Sequence, residues 1–218
     1  MGKHSQRSAR TIAATCFWFI VFVAVVAGLA KFAPGIEERA NPMRSVVMLK
    51  AEHVTGSGFV VSPGLILTAN HVAAAMADGV TITDYDGKET KGKVVWLAPE
   101  YDVALIEDKE VTGPVLPLNC KAVGQGDHVS ALGHPFGIAF VRTEGQIASR
   151  AEHVDENFKN GMILADMTVA PGMSGGPVIK NGAVIGMSDA VLTAQGAAFP
   201  LAALVPSTQL CRLLARNT

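Results

Sequence analysis

From Ser45 onwards the chain runs as short apolar stretches cut by turn residues, and this cadence constrains the fold more than any other feature. SVVMLK, GSGFVVS, LILTA, VTITDYDG, KGKVVWLA and DVALIED follow one another at roughly ten-residue spacing, which suits antiparallel strands joined by tight turns. A stretch rich in Gly and Pro, VTGPVLPLNCKAVGQGD, separates them from a second set: HVSALGH, IAFVRTEGQIAS, GMILADMTV, GPVIKNG, AVIGMSD and AAFPLAALVP. Asn181-Gly182, between GPVIK and AVIGM, is a two-residue hairpin signal because both central positions of such a turn need positive φ. The first set also holds a short helix-prone segment, HVAAAM, and the tail STQLCRLLARN carries Leu210, Leu213 and Leu214 at helical spacing. Two β sets of similar size followed by a terminal helix predict an all-β fold of two barrels closed by that helix.

Composition narrows the classes of function. The 218 residues carry 18 Lys+Arg against 19 Asp+Glu, a formal charge of −1, without the basic excess of a nucleic-acid binder. With 49% hydrophobic and 17% charged residues the chain is not a disordered one. Three cysteines and no C-x-x-C pair exclude a disulfide-dense scaffold and give no sign of a zinc ribbon. The 22 Gly and 11 Pro beside 2 Trp and 2 Tyr fit frequent turns between short aliphatic strands.

The mean hydropathy, +0.31, has a local cause. Between Arg10 and Lys31 no residue is charged, and residues 11–30 read TIAATCFWFIVFVAVVAGLA. A helix of that length rises ~30 Å, the thickness of a bilayer's hydrocarbon core. The expected organisation is a tail over 1–10, a transmembrane helix over 11–30, a linker over 31–44 with two prolines and mixed charge, and a globular domain over 45–218. Within that domain the first barrel is expected over about 45–115, the second over about 126–203 and the helix over about 207–216. The competing reading is a cleaved secretory signal, with Lys3, Arg7 and Arg10 as its basic region and Gly28-Leu29-Ala30 as its cleavage site. Signal cores usually run ~7–15 residues, and the greater length here favours the anchor. Lys31, Arg39 and Arg44 nearly balance the N-terminal basic residues, so the short N-terminal tail alone favours an extracytoplasmic domain. Cys16 lies in the apolar run as a filler.

Three short stretches place a reactive side chain among turn-forming or small residues: Leu67-Thr68-Ala69-Asn70-His71-Val72, Tyr101-Asp102-Val103-Ala104-Leu105 and Ala170-Pro171-Gly172-Met173-Ser174-Gly175-Gly176-Pro177. A serine hydroxyl is a weak nucleophile near neutral pH; it needs a base, the base needs an orienting acid, and the developing oxyanion needs donors. Gly172 takes backbone angles closed to other residues, so its amide and that of Ser174 can converge on one oxygen. Singly, each of these residue types is common in loops and at strand ends.

Together, in this order and with these flanks, they resemble the chymotrypsin-fold serine proteases, and within them the HtrA (Deg) branch. GSGFVVSPGLILTANHV, YDVALIE, ALGHPFG, RTEGQIAS and ADMTVAPGMSGGPVIKNGAVIGM each look like segments of that branch, over residues 45–205 almost in full. The resemblance implies two six-stranded antiparallel β-barrels with a C-terminal helix. It implies a serine endopeptidase in which Ser174 attacks the scissile carbonyl, His71 is the base, Asp102 orients the imidazole, and the Gly172 and Ser174 amides form the oxyanion hole. Protein or peptide substrates, no cofactor and no metal go with it. An oligomer is compatible with the sequence but not set by it.

Several positions depart from the branch. Met173 stands where HtrA proteins usually have Asn and digestive proteases an Asp, so a switch based on a newly cut N-terminus is not expected. His134 occupies a position that is often Asn. The chain ends at Thr218, just after the closing helix, and a PDZ domain is not expected. Thr168, six residues before Ser174, stands where trypsin-like pockets have an acid; with Val169, and with Met187 and Ser188 as the other wall, it implies a modest apolar pocket and cleavage after small or medium aliphatic residues. Asp166 matches a family Asp and is expected to brace the loop. Cys120 falls in the connector and Cys211 in the closing helix, which in the family packs on the first barrel; free buried thiols are favoured slightly over a disulfide. His4, His53, His128, His134 and His153 are scattered and are expected at the surface, and Glu107, Asp108, Lys109 and Glu110 in a solvated turn. The alternative function is a catalytically silent binding module that keeps the fold with a collapsed oxyanion loop.

Overall fold

The computed structural model describes residues 41–217 apart from 53, 78, 153–160 and 195–196. The expected tail and membrane helix, with most of the linker, lie outside the described residues; among those described, no helix is long and apolar enough to cross a membrane.

Strands β1 (Val46–Ala51), β2 (Val54–Ser62), β3 (Leu65–Ala69), β4 (Val80–Thr83), β5 (Glu89–Ala98) and β6 (Val103–Glu107) close into one barrel in the order β1-β2-β3-β6-β5-β4. Strands β7 (His128–Gly133), β8 (Val141–Glu152), β9 (Met162–Met167), β10 (Pro177–Lys180), β11 (Ala183–Ala194) and β12 (Ala197–Pro206) close into a second, in the order β10-β11-β12-β9-β8-β7. Every ladder is antiparallel. The two expected six-stranded barrels are therefore present, and closure leaves neither with an unpaired edge. Local chemistry explains much of this. In β4 Val80 and Ile82 are buried and Thr81 and Thr83 are not, the period-2 signature of a half-buried strand. Asn181 and Gly182 have φ of 52° and 77°, as the hairpin between β10 and β11 requires.

Phe59, Ile66 and Leu67 of the first barrel share one apolar cluster with Leu132, Met187 and Val205 of the second. The barrels are thus joined by core. Helix α1 (Asn70–Ala74) follows β3 directly, and α2 (Ser207–Asn217) ends the chain. Leu210 and Leu213 of α2 are buried. The helix packs chiefly on β11 and β12. The reason lies at its start, where the Ser207 hydroxyl donates to the Asn119 carbonyl at 2.5 Å and a Cys120–Cys211 disulfide, Cα–Cα 5.8 Å, ties the helix to the connector. That bond corrects the expectation of free thiols. The connector itself is pinned along its length: the Leu116 amide donates to the Val60 carbonyl at 2.9 Å, the Asn119 amide donates to the Val184 carbonyl at 2.8 Å, and the Val184 amide donates to the Pro117 carbonyl at 2.8 Å.

Candidate active site

His71 sits in the first turn of α1, at the end of β3, because β3 stops at Ala69 and the chain turns at once into the helix. Asp102 closes the one-turn helix Pro99–Tyr101 in a left-handed conformation, φ 51° and ψ 45°, a region that Asp tolerates better than most residues. This conformation turns both its main chain and its carboxylate toward α1. The Asp102 carbonyl accepts from the Asn70 amide at 3.1 Å. One carboxylate oxygen accepts from the His71 amide at 2.8 Å and the other from His71 Nδ1–H at 2.7 Å. With Nδ1 donating, Nε2 is left as the acceptor. The hydrogen bond to Asp102 raises the His71 pKa, and burial only partly offsets it. Burial pushes Asp102 up, but the bonds from His71 and from Asp189 outweigh it and hold the carboxyl below its usual range.

Ser174 comes from the second barrel, in the loop that leads into β10. Nearly every main-chain group of this loop is accounted for. Met173 N–H donates to the Ala170 carbonyl at 3.0 Å and Gly176 N–H to the Met173 carbonyl at 2.9 Å. The Ser57 amide reaches across from β2 to the Ser174 carbonyl at 2.9 Å, and the Gly175 amide donates to the Ser188 carbonyl at 2.7 Å. The Phe136 amide donates to the Pro171 carbonyl at 2.7 Å. In a trans peptide the N–H points opposite to the C=O, so the bond to Phe136 turns the Gly172 amide the other way. The Gly172 and Ser174 amides have no hydrogen-bond acceptor among the described residues. Gly172, at φ +97°, adopts a conformation that strains any side chain, and a Cβ there would overlap the His134 carbonyl. Below the loop Met173 is fully buried in the second barrel's own core, so an apolar anchor occupies the position where an acidic or amide side chain was the comparison.

Two residues that sequence reasoning missed hold the loop. Ser57 Oγ donates to the Gly172 carbonyl at 2.7 Å and accepts from the His134 amide at 3.1 Å. Its single proton is then spent, so the 3.0 Å contact with His134 Nδ1 is His134 Nδ1–H donating to Ser57. His134 is wholly buried, which corrects its expected surface position; it stacks edge-on against Phe140 at 4.8 Å. Burial, with Lys50 adding to it, pushes its pKa down to about 4, so the ring is neutral and Nε2 has no partner. His128 is exposed as expected. Nothing in GSG or ALGHPFG signals this pairing, since the partners lie 77 residues apart.

The third missed residue is Asp189. A register shift between Ser188 and Ala190 of β11 re-aims its side chain, as a bulge does, toward the His71–Asp102 pair. The Asp189 carboxylate oxygen lies 3.8 Å from His71 Nδ1, and its main-chain carbonyl accepts from Ser174 Oγ at 3.0 Å. The Ser174 hydroxyl therefore rests on Asp189, and no hydrogen bond from it to His71 is present among the described residues. Burial, reinforced by the neighbouring Asp102 carboxylate, pushes the Asp189 pKa up to about 8. His71, Asp102 and Asp189 bring ligand-type atoms within 4.8 Å of one another, a metal-like composition; the His71 nitrogen in that group is already spent on Asp102.

Before Ser174 in the chain, Thr168 is exposed with its carbonyl held by Thr143 Oγ1 at 2.8 Å, and Val169 is half-buried. Met187 and Ser188 are buried. Both main-chain groups of Ser188 are engaged, by Gly176 and Gly175. Asp166 is exposed on β9. Asp108 of the expected solvated turn is instead 2% exposed, because its carboxylate accepts from Thr90 Oγ1 and the Glu110 amide.

Two closed six-stranded barrels, with an imidazole–carboxylate pair on one and a Gly-x-Ser-Gly-Gly loop on the other, define the chymotrypsin fold of the serine proteases. The chain belongs to the trypsin-like peptidase family: residues 56–187 match the model of the trypsin-like peptidase domain. A probable periplasmic serine endoprotease, DegP-like, of Chlamydia pneumoniae is 33% identical over 169 residues, 75% of this chain and 34% of that protein. The chain thus spans about a third of the length of the curated relatives it matches. Among solved structures, the HtrA-type protease AlgW with tripeptide is 28% identical with a TM-score of 0.74, covering 83% of this chain and 62% of that one. The Rv3671c protease from M. tuberculosis in its active form is 26% identical with a TM-score of 0.70, covering 81% and 82%.

Proposed function

We propose that this chain is an HtrA-like serine endopeptidase acting through an acyl-enzyme on protein or peptide substrates. The observation that carries the reading is the double clamp of Asp102 on His71 opposite a serine loop whose Gly172 and Ser174 amides are both turned outward without acceptors. In this reading Ser174 attacks the scissile carbonyl, His71 Nε2 takes its proton and later gives it to the leaving amine, and Asp102 holds the tautomer and stabilises the imidazolium. The two amides take the negative charge of the tetrahedral intermediate. Substrate entry must first draw the Ser174 hydroxyl off the Asp189 carbonyl, a rotation about one side-chain bond. Thr168 and Val169 edge a modest apolar pocket for the residue before the cut. The DegP-like relatives are described as periplasmic, and a disulfide suits an oxidising compartment; both support an extracytoplasmic domain, tethered through residues 11–30.

The Ser174–Asp189 bond favours a second reading, a silent binding module. A fluorophosphonate probe separates the two. Labelling of the wild type but not of S174A, with casein cleaved by the first alone, is the expected result. A correctly folded wild type that never labels would establish the module. Retention of the full chain in the membrane fraction after carbonate washing tests the tether.

A further inference from the structure

Asp189 touches each residue of the proposed triad. Its side chain is 10% exposed, and its carboxyl oxygen lies within 4.8 Å of ligand-type atoms of both His71 and Asp102. The titratable groups that face it are His71 from α1 and Asp102 from the turn before β6. Across the bulge β12 offers Leu204 and Ala203, and the neighbours on its own strand are Ser188 and Ala190; none of these ionises. Two carboxyls this close together and shielded from water repel strongly when both are ionised, which favours keeping one proton on the pair. The two environments differ in a way that places it. Asp102 receives the His71 amide and imidazole N–H bonds, whereas Asp189 receives neither and is the more deeply buried.

We infer that Asp189 is a positioning residue that carries a proton on its carboxyl, donates it as a hydrogen bond to Asp102, and titrates together with His71 as one unit. The inference rests on the proposed peptidase reading for its catalytic meaning, but not for its geometry. With Asp189 protonated, His71 has one anion beside it rather than two and gives up its proton more readily. If the Asp189 proton leaves for solvent while the imidazole gains one, the imidazolium sits between two carboxylates and is held too firmly to act as a base. The proton count balances: one proton is lost from the carboxyl and one is gained by the ring. An acid at this position therefore gives His71 a second route to the cationic form, and raises the pH below which the base is lost.

The test uses the full chain in detergent, labelled with ¹⁵N-histidine, as wild type and as D189N, which keeps a donor to Asp102 but cannot ionise. Two readouts are followed against pH: the His71 ring nitrogens and kcat/KM on a peptide substrate. In the wild type the His71 resonances should titrate in two coupled steps; in D189N they should titrate in one, at lower pH. The acid limb of kcat/KM should move down with them, so that at pH 6 D189N retains about threefold more of its own plateau rate than the wild type does. Identical titrations in both proteins overturn the inference, whatever the activity. Should D189N fail to fold, D189T supplies a donor without an acid and is read by the same two criteria. A wild type without peptidase activity but with two-step coupling supports the proton sharing and sinks the peptidase reading instead.

Discussion

The two halves of the site are held in different ways. On the first barrel, His71 and Asp102 fix one another: the carboxylate grips both the ring and the amide of the histidine, and the Asp102 carbonyl holds the next amide along. Both partners lie within α1 and the turn before β6, and Asp189 of β11 also reaches the pair. On the second barrel, the serine loop is shaped by groups from elsewhere: Ser57 from β2, Phe136 and His134 from the segment after β7, and Ser188 and Asp189 from β11. The His71–Asp102 pair is held chiefly from its own barrel, and the Ser174 loop largely from elsewhere. A change of packing between the barrels should therefore leave the imidazole where it is and disturb the serine and its two outward amides.

The largest effect should come from breaking the first half directly. D102N keeps the shape of the clamp but favours the wrong tautomer of His71, and kcat should fall on the order of 10⁴-fold while chromatographic behaviour and folding stay unchanged. The second half should yield more gradually. In S57A the Gly172 carbonyl, the His134 amide and His134 Nδ1–H all lose their partner, so kcat/KM should drop about tenfold to a hundredfold and stability by ~1–3 kcal/mol. A triad-like loss in S57A, with stability intact, would mean that the loop is no less self-contained than the base. The smallest effect is confined to pH. A histidine buried as the neutral ring, with its pKa near 4, binds fewer protons folded than unfolded between that value and its ordinary 6.5, so stability is full above this window and is lost as pH falls through it. The loss should total roughly 3 kcal/mol. H134N, which cannot charge, should lack that slope in denaturant melts taken between pH 7 and 4.

The same contrast governs what the amino-acid sequence makes legible. Strands alternate by local rules, and Asn181-Gly182 turns by local rules, so the two barrels can be read from residues alone. His71, Asp102 and Ser174 carry distinctive flanks, and the expectation that the first two meet is realised by Asp102's left-handed backbone. The supporting shell has no such flanks. Asp189 looks like an ordinary strand residue until a one-residue register shift turns it inward, and His134 looks like a surface histidine until Ser57, from the opposite barrel, supplies its partner. Met187, expected as a pocket wall, belongs to the core that joins the barrels, since pairing with Pro177 and Val205 sets its direction and no pattern in the sequence states that register. The cysteines could be read either way because their approach depends on where a helix docks.

The sulfur bridge between positions 120 and 211, 91 residues apart, encircles every strand of the second barrel. A single nick anywhere inside that circle leaves two fragments that travel as one molecule until a reductant parts them. A chain cut there thus keeps Ser174 joined to His71.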